Sequence, residues 1–453
     1  MTVFLSVAVL ALCVAAILLK MVYGKVDILE PIVPAVITMA GLFSIRPLAM
    51  IATGETVYYR WVNIEASLDP ALSVCVIGVA SYLFGYLVSA KAPRFDVYPY
   101  VEYRISKKRL VMVCFTYIGL SIMLTAAYLG RDPIGTLSVM ALGRSADIGD
   151  VITVHTEYLF VAPLLLSCCA TLLILGLTKE GLRVGWLAVL LVLIVVPVLY
   201  FYLVGARRFI IPVFAIPLVV YFLVRKIRPK LKTLLVGVAI FYIIAAIPFM
   251  RTGGAREQIG GLGRQLIYAF MREDIFRGIF LGPDTEMLAA FAVEFKVLKE
   301  PRDFYYGRAV FGDLLFAPIP SALFDKPRSA RNDILMKAFG SVCDAGPGGL
   351  CPDFSVIGTF YQDLWVPGVV VGMAFCGWAS RRIWLRYRAQ PANPYAICSA
   401  AITFVFTLVI IRAGFMPAFQ WALYFFVPIT VGVHFARRKI RRVPFPSAIS
   451  QSR

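Results

Sequence analysis

The sequence predicts an all-α protein: a polytopic transmembrane helix bundle of about eleven spans, with one long external (periplasmic) loop that contains short interfacial helices. Three observations predict it. Hydrophobic residues make up 60% of the 453 positions and charged residues only 16%, with a mean hydropathy of +0.81, a balance that excludes a soluble globular protein. The apolar residues come in runs as long as a bilayer core is thick, roughly 20 residues per helix. The basic residues alternate between sparse and dense in successive connections, as insertion across a membrane produces.

In chain order the apolar runs fall at 3–20, 32–52, 72–90, 110–129, 157–177, 185–204, 209–224, 234–250, 364–380, 395–411 and 416–435. The first lacks a basic leader and a small-residue cleavage site, so it reads as a retained helix. The second is interrupted by Arg46 six residues before its end, which makes it short, tilted or partly interfacial. The sixth and seventh belong to one apolar stretch twice the length of a span, broken only at "VGARRFII". An arginine at mid-bilayer costs about 3 kcal/mol or more. The stretch is therefore read as two antiparallel spans joined by the turn Gly205-Ala206-Arg207-Arg208. The whole chain, 1–453, reads as a single integral membrane domain, with 251–355 as an external cap between spans.

Lys and Arg concentrate in cytoplasmic connections. One set holds Lys20 and Lys25, the cluster from Lys91 to Arg109, Lys179 and Arg183, "RKIRPKLK" at 225–232, "RRIWLRYR" at 381–388 and "RRKIRR" at 437–442. The opposite connections hold only Arg46, Arg60, Arg131, Arg144, Arg207, Arg208 and Arg412. This places the C-terminus in the cytoplasm and the N-terminus outside. The net charge of +19 is then mostly topogenic, and no nucleic-acid partner is needed to explain it.

From Arg251 to Asp353 the external loop carries thirteen basic and thirteen acidic residues, the composition of a folded cap and not of a disordered tail. Its start, "RTGGAREQIGGLG", is glycine-rich, and 264–282 reads as a helix with Arg264, Tyr268 and Arg272 along one face. Residues 285–300 put Met287, Leu288, Phe291, Phe295 and Leu298 on one side and Glu286, Glu294 and Lys299 away from it, a pattern suited to lying on a membrane surface. Residues 311–329 are apolar but broken by Pro318 and Pro320, hence an interfacial or re-entrant element. Seven of the nine cysteines fall in or beside spans, where they act as small apolar residues. Cys343 and Cys351 flank a Gly-Pro-Gly-Gly turn in the cap and are read either as a disulfide or as two buried thiols.

The sequence contains no P-loop, no HExxH, no CxxC pair and no dinucleotide fingerprint, and His155 and His434 fall on opposite sides of the membrane. The distinctive set is a group of outer-face arginines: Arg207, Arg208, Arg251, Arg256, Arg264, Arg272 and Arg412. Guanidinium forks bind phosphate oxygens bidentately and keep their charge in partly dry surroundings. Taken singly, each also fits a lipid headgroup contact or an ion pair with Glu273 or Asp274.

With "VGARRFII", "MREDIF", "IPSALFDKPRS", "SVIGTFYQDLWVPG" and "IIRAGF" in this order, residues 185–425 resemble the polytopic oligosaccharide repeat-unit polymerases, or O-antigen polymerases. The resemblance implies a metal-independent glycosyltransferase of the GT-C type in the bacterial inner membrane, with no cofactor. Its donor and acceptor would be undecaprenyl-diphosphate-linked oligosaccharides, its surroundings membrane lipids, and a chain-length regulator a conceivable partner. It carries the donor-diphosphate role to Arg207, Arg272 and Arg412, with Arg208 as backup. Arg251, Arg264 and Tyr361 join the substrate-binding set, Tyr361 reading otherwise as a residue of the aromatic belt at the membrane surface. Fixed arginines can stabilise the charge on a departing diphosphate, while the attacking sugar hydroxyl needs a base. Glu273, Asp313, Asp353 and Asp363 are all candidates; Glu273 equally reads as a salt-bridge partner, and Asp313 and Asp353 as helix caps. The alternatives are another lipid-linked glycosyltransferase, such as an O-antigen ligase, or a polysaccharide or lipid transporter. The cap lacks the histidine expected of a ligase, and the ionisable residues crowd one surface where a transporter would bring them to mid-membrane.

Overall fold

The computed structural model describes residues 1–23, 26–54, 57–58, 62–89, 103–130, 157–177, 184–204, 206–229, 286–300, 303–312, 330–339 and 354–439. Among them nine helices are long and apolar enough to cross a membrane. The protein is therefore an all-α, multi-pass helical bundle. Thr2–Tyr23 is α1; α2 (Ile32–Ala40) and α3 (Arg46–Thr53) form one span, joined by a π-helical turn at Gly41–Ile45. Then come α4 (Glu65–Val88), α5 (Lys107–Leu129), the shorter α6 (Leu164–Leu177), α7 (Val184–Val204) and α8 (Arg207–Arg225). The long segment between α8 and α11 contributes α9 (Met287–Val297) and α10 (Ala330–Phe339), and the chain closes with α11 (Val356–Ala389), α12 (Pro394–Ala413) and α13 (Phe415–Ala436). Each expected span has its helix except 234–250, which lies outside the described residues. Helices suit these segments because every backbone amide must be bonded internally in lipid.

The buried residues form two main cores. In one, α5 to α8 pack with α12, α13 and the far end of α11. In the other, α1 to α4 pack with α9 and α11. The most extensive contact between two helices is that of α4 with α11. It is made possible by Gly85 and Gly377, where a Cβ would run into the Ala374 and Tyr82 backbones. Small residues let membrane helices approach backbone to backbone.

The two ends of the bundle differ in charge. At one end, the strands β3 (Tyr103–Ile105) and β4 (Arg437–Lys439) pair antiparallel and tie the start of α5 to the end of α13. Ser106 N–H donates to the Ala436 carbonyl there at 2.8 Å. The same end holds Arg228 paired with Asp27 at 2.9 Å. It also holds a buried group in which Lys20 and Arg381 both contact the Glu30 carboxylate and the Tyr86 hydroxyl donates to it. Arg208 and Arg412 lie at the opposite end, as the alternating charge count expects. Arg46 departs from that count: assigned to an outer connection, it sits where the π-turn meets α3 and is only 4% exposed.

The segment between the spans differs more. Helix α9 does not lie on a surface with its acids outward. Met287 through Glu294 are all buried, packed against α4 and the start of α11. Helix α11 is not one straight rod. Leu364 and Trp365 leave helical geometry, Trp365 with φ of +56°, and the chain doubles back. Phe360 then lies where a Cβ on Gly372 would be, although twelve helical residues would span about 18 Å. The membrane-crossing part thus begins after this turn, and 356–363 is a short re-entrant helix packed beside it. Of the other expected elements, the helix at 264–282 and most of the proline-broken element at 311–329 lie outside the described residues, as do Cys343 and Cys351. The seven described cysteines are free thiols in or against the helices.

Candidate functional site

At the end carrying Arg208 and Arg412, a cleft of about 1130 Å³ opens between the start of α4, the end of α9, residues 304–306 and the turn of α11. A two-strand hairpin, β1 (Val57–Tyr58) with β2 (Val62–Asn63), leads into α4 and supplies Asn63 to the rim. The wall is aromatic. Trp365 and Tyr306 stay 54% and 65% exposed, both held at positive φ, so side chains that local sterics disfavour there are presented outward. The charged groups are few: Glu65, exposed at the first turn of α4, Lys296 in the last turn of α9 and Lys299 just beyond it.

The floor is held by Asp363. Its two carboxylate oxygens accept the backbone N–H groups of Ala309 and Val310 at 2.7 and 2.9 Å, in the π-helical turn Arg308–Gly312. Tyr305 and Tyr306 N–H groups donate to the Gln362 and Asp363 carbonyls at 2.9 and 3.0 Å. Asp363, one of the four acids open as the base, is therefore a buried anchor for 305–310, both oxygens already in use. Glu273, Asp313 and Asp353, the other three, lie outside the described residues.

Tyr361 is 2% exposed. Phe295 stacks on its ring at 5.3 Å, and Phe291 and Phe304 meet it edge-on at 5.3 and 5.6 Å. It builds the cleft wall, and the exposed aromatic faces there are those of Trp365 and Tyr306. Behind this wall Glu294 is fully buried, its carboxylate lying over Gly358, where a Cβ would come within 2.7 Å of Oε2. Burial pushes its carboxyl well above the usual carboxylate range, and the nearby Gln362 amide pulls the other way. Neither Glu294 oxygen, nor the Gln362 amide nitrogen, nor the Tyr305 hydroxyl reaches a hydrogen-bond partner among the described residues. Burial, helped by Asp333, raises the Tyr305 phenol to about 12.

The arginines are arranged differently from the cleft. Arg207 and Arg208 do not form a loop; they open α8, where the helix dipole disfavours cations and favours an anion. The Arg208 guanidinium lies 4.7 Å from the Trp421 ring and 5.4 Å from Phe209, contacts worth about 0.5–2 kcal/mol each. Arg412 sits in the last turn of α12, where a cation is favoured. The re-entrant helix links this group to the cleft: Thr359 Oγ1 accepts Phe415 N–H at 3.4 Å behind the α12–α13 turn, and Tyr361 lies two residues on. Arg251, Arg264 and Arg272 lie outside the described residues.

Sequence reading missed Trp365, Tyr306, Glu65, Lys296 and Glu294. The one local signal was "LWVPG", where Pro367 restricts the residue before it and forecasts a break in the helix. A scan of family models, of curated proteins and of solved structures finds no match to this chain. The fold and the cleft define the class: a multi-pass helical membrane protein with an aromatic, sparsely charged cleft at one end of its bundle.

Proposed function

We propose that this protein polymerises lipid-linked oligosaccharide repeat units, transferring the glycan from an undecaprenyl diphosphate donor to the non-reducing end of a lipid-linked acceptor at the outer face of the bacterial inner membrane. The observation that carries the reading is the cleft. Its size suits an oligosaccharide end, its exposed Trp365 and Tyr306 rings offer apolar faces to sugars, and its few polar groups can orient hydroxyls. The arginines at the same end supply the second requirement, an anion site for the diphosphate.

In the reaction the acceptor hydroxyl attacks the donor's anomeric carbon, the bond from that carbon to the diphosphate oxygen breaks, and the diphosphate leaves with the electron pair. Arg207 and Arg412, with the positive end of the α8 dipole, stabilise that charge. The hydroxyl proton goes to a carboxylate. Glu65 is the acid among the described cleft residues, and it joins Glu273, Asp313 and Asp353 as a base candidate.

The test is polymerisation of purified lipid-linked repeat units by the purified protein, resolved as a ladder on a gel. Arg412→Lys keeps the charge and loses the fork, so chain extension should fall about 10²- to 10³-fold, the effect of removing one contact that tightens in the transition state. Trp365→Ala should act mainly on KM. Wild-type protein that joins no repeat units overturns the proposal, and transfer of the glycan only to an unrelated lipid acceptor would mark a ligase.

A further inference from the structure

A second, smaller cavity lies at the opposite end of the bundle. It measures about 270 Å³ and is bounded by the end of α8, the end of α11 and the connection between α1 and α2. Its chemistry is one-sided. Lys226, Arg228 and Arg388 face one carboxylate, Asp27, and that carboxylate is already paired with Arg228 at 2.9 Å. Lys226 and Arg388 make no ion pair among the described residues. Lys226 is held at φ of +55° at the end of α8, which commits the backbone of this corner to one geometry.

The remaining walls add one donor without an acceptor among the described residues. Trp384 is 1% exposed and lines the cavity, yet its indole N–H has no partner among the described residues. A buried donor left unbonded costs about 1–3 kcal/mol, so its presence beside a cavity points to a missing acceptor. The Tyr387 hydroxyl donates to the Leu223 carbonyl at 3.3 Å, closing the floor. Ile227, 45% exposed, borders the opening and provides apolar surface beside the polar chamber. Cations without an ion pair and a buried N–H without a partner among the described residues, together with an apolar lip, suit an anionic headgroup at a membrane edge.

We propose that this cavity binds the phosphate of an anionic ligand, in the membrane that of an anionic phospholipid headgroup, held by Lys226, Arg388 and the Trp384 indole N–H. The site is distinct from the cleft at the other end and does not depend on the polymerase reading. Phosphate is the chemistry shared by a phospholipid and a free phosphorylated solute, and the experiment separates them.

Purified protein is placed in nanodiscs of phosphatidylcholine alone or with increasing phosphatidylglycerol, and separately in phosphatidylcholine discs with millimolar inorganic phosphate; thermal unfolding is followed. Phosphatidylglycerol should raise the unfolding temperature of the wild type, and Lys226→Gln/Arg388→Gln should weaken the apparent lipid affinity at least tenfold, the loss of a charge-assisted contact. Trp384→Phe keeps the ring packing, removes only the donor, and should weaken binding by a smaller factor; it also serves if the double variant fails to fold. A response to inorganic phosphate as large as to the lipid would assign the site to a free anion. Equal responses of wild type, double variant and Trp384→Phe to both ligands, or no response at all in the wild type, overturn the proposal.

Discussion

Replacing Gly85 by alanine tests how closely α4 and α11 are packed. A Cβ there would meet the Ala374 carbonyl oxygen and stand 2.8 and 2.9 Å from the carbonyl carbon and Cα of the same residue. On the facing helix, a Cβ on Gly377 would meet the Tyr82 carbonyl oxygen and stand 2.9 Å from Tyr86 N. Carbon atoms prefer about 3.5–4.0 Å, and these obstacles are backbone, which cannot rotate aside. The helices must therefore part by about 0.5–1 Å, enough to forfeit a quarter to a half of each contact across the seam. The buried Tyr82, Tyr86, Val369 and Met373 line that seam. Overpacking of this kind costs about 1–3 kcal/mol, and a rigid obstacle puts Gly85→Ala at the upper end, about 3 kcal/mol. The better helix propensity of alanine returns up to about 1 kcal/mol, leaving a net loss of about 2. Gly119→Ala in α5 is the control: nothing lies within 4 Å of its Cβ position, so it should gain up to about 1 kcal/mol from propensity alone. Reversible unfolding in detergent micelles measures both. The double variant Gly85→Ala/Gly377→Ala should lose less than the sum, because helices already parted for one methyl have room for the second. If Gly85→Ala proves as stable as Gly119→Ala, the backbone-to-backbone seam is refuted.

Further outcomes follow from the buried ionisable groups. Glu294 has a raised folded pKa, against about 4.3 when exposed. Above pH 4.3 the unfolded chain releases this proton while the folded one keeps it, so stability falls as pH rises until the folded pKa is passed, by up to about 1.4 kcal/mol per pH unit. Glu294→Gln removes that slope: its unfolding temperature relative to wild type should be similar at pH 4 and progressively higher towards pH 8, and parallel curves would discard the assignment. Glu30→Gln leaves Lys20 and Arg381, 12% and 9% exposed, without their shared carboxylate. A loss of about 3–5 kcal/mol is expected in the same unfolding assay, whereas a neutral effect would mean that the group is solvated. Asp363→Asn keeps one acceptor oxygen for two backbone N–H groups, so it should cost about 1–3 kcal/mol and expose 305–310 to limited proteolysis before global unfolding; unchanged cleavage would deny its anchoring role.

The sequence by itself determined the class, the spans and the separation of charge between the two ends. Those follow from local quantities, the length of each apolar run against a bilayer and the count of Lys and Arg in each connection, and the helices at 3–20, 110–129 or 395–411 could hardly have been read otherwise. The tertiary structure decided what the segment between the spans does. Periodicity puts Glu294 on the outer side of α9 because it assumes a single packed face; α4 on one side and the re-entrant helix with Phe354 on the other bury the helix all round, carboxylate included. Asp363 reads as a candidate base until the amides of Ala309 and Val310, more than fifty residues earlier, are found on both its oxygens. Arg208 and Arg412 were legible from their place beside the spans, but the cleft was not. It is assembled from the start of α4, the end of α9 and a turn at Trp365, and a surface made by three distant stretches of chain has no period or spacing in the sequence to reveal it.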